Sequence, residues 1–168
     1  IITISADAGQ TWATKVSGTD AYLYDVTALD SNHAIAVGEG GIITISADAG
    51  QTWATKVSGT DAYLYDVTAL DSNHAIAVGE GGIITISADA GQTWATKVSG
   101  VSVNLTAVSF LGSTSAIAVG WSGSITMSTD AGQTWSAKPV ITASFLESVF
   151  SFSSNIAIAV GANGNILR

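Results

Sequence analysis

Apolar and polar residues along this chain fall into short runs that keep ending at Gly, Asn, Asp or Ser. Across residues 23–57 four such runs, Leu23 to Leu29, His33 to Gly38, Ile42 to Ser46 and Thr52 to Val57, predict β-strands. The segments between them are Asp30-Ser31-Asn32, Glu39-Gly40-Gly41 and Ala47 to Gln51, all of turn-forming composition. Ala34-Ile35-Ala36-Val37-Gly38 is apolar throughout rather than alternating. A run of that kind fits a strand covered on both faces, and its small alanines permit close approach of neighbouring sheets.

The pattern repeats. Residues 1–59 recur identically as 42–100, and the same register continues without insertion through Gly164. This gives four 41-residue repeats (1–41, 42–82, 83–123, 124–164) and a partial strand at 165–168. The Ala-Ile-Ala-Val-Gly run is unchanged at 75–79, 116–120 and 157–161. Self-similarity at about 40 residues marks units that hide their apolar faces against their neighbours, so one repeat alone should not fold stably. Four short strands per period is the pattern of a propeller blade. A parallel β-solenoid has shorter coils and lacks the Trp-bearing hairpin described next. The expected fold is therefore all-β, a β-propeller with blades of four antiparallel strands. The third-strand phase occurs five times and every other phase four times, so the surplus strand predicts strand exchange with another copy or a longer array.

The most specific motif is Ser-x-Asp-x-Gly-x-Thr-Trp. Its copies are Ser5, Asp7, Gly9, Thr11, Trp12; Ser46, Asp48, Gly50, Thr52, Trp53; Ser87, Asp89, Gly91, Thr93, Trp94; and Ser128, Asp130, Gly132, Thr134, Trp135. These residue types suit a compact turn: the carboxylate accepts backbone N–H bonds, Gly supplies positive φ, and Trp packs on the sheet while its indole N–H seeks an acceptor.

The motif resembles the Asp-box, or bacterial neuraminidase repeat, which lies between the third and fourth strands of a blade. The whole blade, with Asp-Val-Thr-Ala-Leu, Ala-Ile-Ala-Val-Gly, Gly-Gly-Ile-Ile and then the Asp-box, is most similar to the propellers of the photosystem II stability and assembly factors. That resemblance spans nearly the whole chain and implies the fold; Asp-boxes recur in propellers of unrelated activity, so they carry structure more than function.

Charge changes the picture. Thirteen acidic residues against five basic ones give a net charge of −8, which disfavours nucleic acid and anionic lipid as partners. Charged residues make up only 11% of the chain, so few surfaces are built for solvation by charge. Without cysteine there is neither a disulfide nor a thiolate metal site. No apolar run approaches the roughly 20 residues of a membrane helix. The chain starts without an initiator Met or a signal-like stretch and reads as a processed chain or an excised piece.

Catalytic inventory is thin. A sialidase of this architecture is expected to need three arginines and a Tyr/Glu pair, and the chain has one arginine, Arg168. Carboxylate pairs for glycoside hydrolysis would have to come from Asp25, Asp66, Glu39, Glu80 and Glu147. Repetition duplicates the first four, whereas an active site needs unlike groups in unlike environments. His33 and His74 share one repeat position and read as strand-edge residues rather than metal ligands; no cofactor is expected. Asn104-Leu105-Thr106 matches a glycosylation sequon inside a predicted strand and reads as chance.

The positions that vary between copies are the candidate ligand residues: Tyr22, Tyr24, Asp25, Glu39, Tyr63, Tyr65, Asp66, Glu80 and Trp121. Around the first strand Tyr22, Tyr24 and Asp25 give way to Val103, Thr106 and Ala107, then to Phe145, Glu147 and Ser148; Glu39 gives way to Trp121 and Ala162. In a propeller these line the channel and one mouth, where aromatic and acidic groups suit a glycan or protein ligand; filling space between blades is the plainer role. The sequence thus predicts a non-catalytic scaffold at an extracellular, cell-surface or periplasmic site that self-associates or binds a ligand. The alternatives are an assembly factor of membrane complexes and an engineered or recently amplified propeller.

Overall fold

A computed structural model describes all 168 residues, and 17 strands in five antiparallel sheets account for nearly all its regular structure. β1 (Ile2–Ile4) and β2 (Ala13–Lys15) form a two-stranded sheet. Three four-stranded blades follow. The first is β3 (Leu23–Ala28), β4 (Ala34–Gly38), β5 (Ile43–Ser46) and β6 (Ala54–Lys56). The second is β7 (Leu64–Ala69), β8 (Ala75–Gly79), β9 (Ile84–Ser87) and β10 (Ala95–Lys97), and the third is β11 (Leu105–Leu111), β12 (Ser115–Gly120), β13 (Ile125–Ser128) and β14 (Ser136–Ala137). A three-stranded sheet of β15 (Leu146–Ser153), β16 (Ile156–Gly161) and β17 (Ile166–Leu167) comes last. Within each blade the strands pair in sequence order, as tight antiparallel meanders must. The expected strands are all present; each blade spans the end of one repeat and the start of the next.

Blades pack face to face in chain order, and the first strands β3, β7, β11 and β15 together line a channel of about 460 Å³. They are the inner strands, and β6, β10 and β14 are the outer ones. The invariant Ala-Ile-Ala-Val-Gly run explains the packing: in β8 all five residues are buried, covered on both faces as an apolar run requires. Ile35, Val37, Ile43 and Ile45 of one blade meet Leu64, Val67, Ala75 and Ala77 of the next in a single cluster. Ile76, Val78, Ile84 and Ile86 then meet Leu105, Val108, Ala116 and Ala118.

Gly at the end of that run is required by close approach. A Cβ on Gly38, Gly79, Gly120 or Gly161 would lie 1.8–2.0 Å from the carbonyl oxygen of Tyr22, Tyr63, Asn104 or Phe145 respectively. Those carbonyls accept the N–H of the next residue, as in Glu39 N–H to Tyr22 at 2.9 Å. This fourfold contact corrects one alignment read from the sequence: Asn104, not Val103, occupies the Tyr22 position, because register is fixed by the Trp121 N–H to Asn104 carbonyl bond.

Polar ties join neighbouring blades at fixed offsets. Buried Thr44, Thr85 and Thr126 donate to the carbonyls of Ser17, Ser58 and Ser99. On the outer strands Lys15, Lys56 and Lys97 donate to the side chains of Gln51, Gln92 and Gln133. On the inner strands the Asp25 carboxylate accepts the N–H of Val67 at 2.9 Å, and Asp66 accepts that of Val108 at 2.6 Å. Ala107 interrupts this series, and the Thr106 hydroxyl instead reaches the Leu146 carbonyl of the next sheet.

Candidate functional site

Two opposite ends of the blades differ in kind. At one end lie the Asp-boxes, each between the third and fourth strands. In the second copy the Ser46 hydroxyl donates to Asp48 at 2.9 Å and accepts the Gly50 N–H at 2.8 Å. Asp48 accepts the N–H of Thr52 at 2.8 Å and its hydroxyl at 2.6 Å, and the Trp53 indole N–H donates to the Gly50 carbonyl at 3.0 Å. The same bonds recur around Asp7, Asp89 and Asp130. Two consecutive left-handed residues build each turn, Ala8 and Gly9 at φ 57° and 86° in the first. The Thr hydroxyl and N–H hold Asp7, Asp48 and Asp130 down to about 2, and they lower Asp89 as well. With its oxygens taken by Ser and Thr, the carboxylate closes the turn. On the same end Asp30 and Asp71 accept the N–H groups of Asn32, His33, Asn73 and His74. Each also holds the neighbouring imidazole Nδ1, at 2.8–3.0 Å.

The opposite end gathers the variable positions of the inner strand and of the second-to-third-strand turn, while at the Asp-box end the His33 and His74 position becomes Ser115 and Ile156. Each inner strand carries a β-bulge one residue in: the pairing with the second strand skips one residue after Leu23, Leu64, Leu105 and Leu146. The bulged residues are Tyr24, Tyr65, Thr106 and Glu147, and all four line the channel. A bulge re-aims a side chain without disturbing the rest of the ladder, so this position is free to change. Beside it, the short turns Glu39–Gly41, Glu80–Gly82 and Trp121–Gly123 place the other variable residues.

These groups meet across blade boundaries. The Tyr63 hydroxyl donates to Glu39 at 2.8 Å, and the Tyr63 N–H to Glu80 at 3.3 Å. Tyr24 lies with its ring centroid 6.2 Å from that of Tyr63 and 5.8 Å from that of Tyr65. Asn104 accepts the Gly81 N–H, and its amide donates to the Tyr65 hydroxyl at 3.4 Å. Trp121 stacks on Phe145 at 5.2 Å. Tyr22, at 74% exposure, stands clear of this network. Sequence reasoning did not single out Asn104 or Phe145 as site residues, although they stand two and three repeats after Tyr22.

Deeper in the channel Asp25 and Asp66 are neighbours. Burial, followed by the hydrogen bond with Asp25, pushes Asp66 up to about 7. Both carboxylates already hold a backbone N–H of the next blade, which gives them a structural task. Tyr63 and Glu39 form a Tyr/Glu pair, but the hydrogen bond to Glu39 and its charge raise the phenol's pKa. A nucleophile is activated by the opposite shift. Arg168, the one guanidinium, follows β17 in the last sheet, whereas this pair joins the first two complete blades.

Residues 4–99 match the family described as Photosynthesis system II assembly factor YCF48, and residues 126–137 match the BNR/Asp-box repeat. The chain belongs to the YCF48 family. The structure of YCF48 bound to D1 peptide superposes on 87% of this chain and 48% of that one, with a TM-score of 0.71 and 24% identity. YCF48 from Cyanidioschyzon merolae covers 98% of this chain and 61% of its own, with a TM-score of 0.76 and 16% identity. The chain thus spans about half to three-fifths of these solved relatives. An ancestral GH74 enzyme, AFV00434, shares the blade architecture at a TM-score of 0.69 and 15% identity, covering 98% of this chain and 28% of its own. At these identities the structural likenesses speak for fold alone. No curated protein matches the chain significantly.

Proposed function

We propose that this YCF48-family chain is a non-catalytic binding propeller that holds a polypeptide segment at its channel mouth and serves as an assembly factor of a membrane complex. The observation carrying this reading is the repeated bulge: each inner strand keeps its Leu and Val packing positions and displays Tyr24, Tyr65, Thr106 or Glu147 beside them at one mouth. Membership of an assembly-factor family supports it, and so does the D1 peptide bound to one relative of the same fold. The test is affinity capture from detergent-solubilised membranes. The wild-type chain should retain a recurring membrane-protein subunit, and Tyr24→Ala with Trp121→Ala should release it. Equal recovery by the variant would sink the reading.

A second reading, a self-associating extracellular scaffold, draws on exposed apolar surface at the two end sheets. Phe150, Phe152 and Ile166 are 62–71% exposed on the last sheet. At the other end a cleft of about 500 Å³ opens between β1 and the first blade, lined by Ile2, Ile4, Leu23 and Val26 among others. Light scattering decides it: a strict monomer across concentration removes this reading.

A further inference from the structure

The basic side chains of this chain keep away from its channel. Lys15, Lys56 and Lys97 end the outer strands and are tied to glutamines of the next blade, Lys138 sits just beyond β14, and Arg168 follows β17. The channel and its mouth hold the opposite sign. Asp25, Asp66 and Glu147 line the channel, and Glu39 and Glu80 stand on the turns above it. No basic residue lines the channel.

Aromatic faces stand among these carboxylates. Tyr24 is 46% exposed while touching Tyr63 and Tyr65, so one side of the cluster is open to solvent. Glu39 and Glu80 both bond to Tyr63 from adjacent turns, bracketing the cluster with two negative charges. Trp121, at 43% exposure, and Phe145, at 44%, add a second open aromatic pair two repeats further on. Aromatic rings attract a cation to their faces, and flanking carboxylates supply its counter-charge. A guanidinium also stacks on such rings while donating to carboxylates in a fork.

We infer that the mouth recognises a basic peptide segment, seating a Lys or Arg side chain against Tyr24, Tyr63 and Tyr65 between Glu39 and Glu80, with an apolar residue of the same segment at Trp121 and Phe145. This rests on the binding reading above and specifies the chemistry of the occupant. The net charge of −8 favours such an encounter electrostatically.

The test uses three synthetic peptides of equal length with the same aromatic residue, bearing Arg and Lys, Gln, or Glu at the variable positions. Binding to the full chain is followed by calorimetry and by intrinsic tryptophan fluorescence, with Trp121→Phe marking the part of the change that belongs to Trp121. The basic peptide should bind at least about tenfold more tightly than the Gln peptide, an advantage that shrinks as salt is raised. Glu39→Gln and Glu80→Gln should each remove most of it, while Lys97→Gln on the outer rim leaves it intact. Circular dichroism checks that each variant is folded; Glu80→Gln spares the Tyr63 hydroxyl bond and serves if Glu39→Gln misfolds. If the Gln or Glu peptide binds as well as the basic one, the charge inference is overturned while the binding reading stands. If the basic peptide and unbiased membrane capture both fail, the binding reading falls with it.

Discussion

The first two complete blades, β3–β6 and β7–β10, have the same sequence, yet they are not equivalent. Leu64 is fully buried and Val67 nearly so, at 4% exposure, whereas the corresponding Leu23 is half-buried and Val26 is 61% exposed. The backbones are alike down to the turn glycines, with Gly40 and Gly81 at φ 65° and 64°. Local hydrogen bonds are therefore properties of the repeat, while burial is a property of the neighbour. The second blade has the four-stranded sheet β3–β6 against its Leu64 and Val67 face, and within residues 1–168 the first has the two-stranded sheet β1–β2 beside it. Identical residues at different depths give a controlled measurement of what a neighbouring blade contributes.

The largest contrast is expected at the inner leucines. Leu64→Ala should cost about 2–5 kcal/mol by denaturant unfolding, because it empties a fully buried site, and Leu23→Ala should cost less than half as much. Val67→Ala and Val26→Ala extend the comparison; the exposed member should stay within about 0.5 kcal/mol of wild type. Equal losses at both members of either pair would mean that the first blade is as well covered as the second.

Titration gives the next contrast. Asp66 has its pKa raised by burial to about 7, above its ordinary 3.8. The folded chain then binds that proton more tightly than the unfolded chain, so the associated stability is full below about 4 and is lost as pH rises through about 7. Melting temperature should fall across that window, and Asp66→Asn should flatten the slope. The Asp-box carboxylates work the other way. Held at about 2, Asp7, Asp48 and Asp130 stabilise the fold above their ordinary 3.8 and cease to as pH falls toward 2.

Smaller effects should not distinguish the copies at all. Asp48→Ala and Asp89→Ala remove the same set of local bonds and should lower the melting temperature by the same amount. Smallest is Lys56→Ala, which removes one exposed tie to Gln92 and should change stability by no more than about 0.5 kcal/mol in thermal melts.

Much of this was legible in the sequence because it is local. The strands, the Asp-box between third and fourth strands and the covered Ala-Ile-Ala-Val-Gly run follow from residue types within a few positions of one another. What escaped needs two blades or an altered pairing. The Thr44 to Ser17 tie joins residues 27 apart, and nothing in either residue names its partner. The bulge at Tyr24 arises from the pairing of β3 with β4, so the inner strand reads as regular until its register is seen. Left-handed Ala8, Ala49, Ala90 and Ala131 were hidden for another reason: alanine carries no turn signal, and the Ser–Asp–Thr bonds around it hold the strained conformation.

The Ser, Asp, Thr and Trp side-chain bonds of an Asp-box span no more than four residues, whereas the ties between blades span 23 to 42. A copied stretch of this chain thus arrives with its corner already folded but with its grips empty. Each grip closes only on the copy that comes after it, as Lys15 does on Gln51 and Asp25 on the Val67 N–H. Drift in one copy loosens the junctions on its two sides and leaves the rest of the row as it was. Such a row lengthens most easily by duplicating next to itself, because only an adjacent near-twin presents the hand-holds at the right offsets.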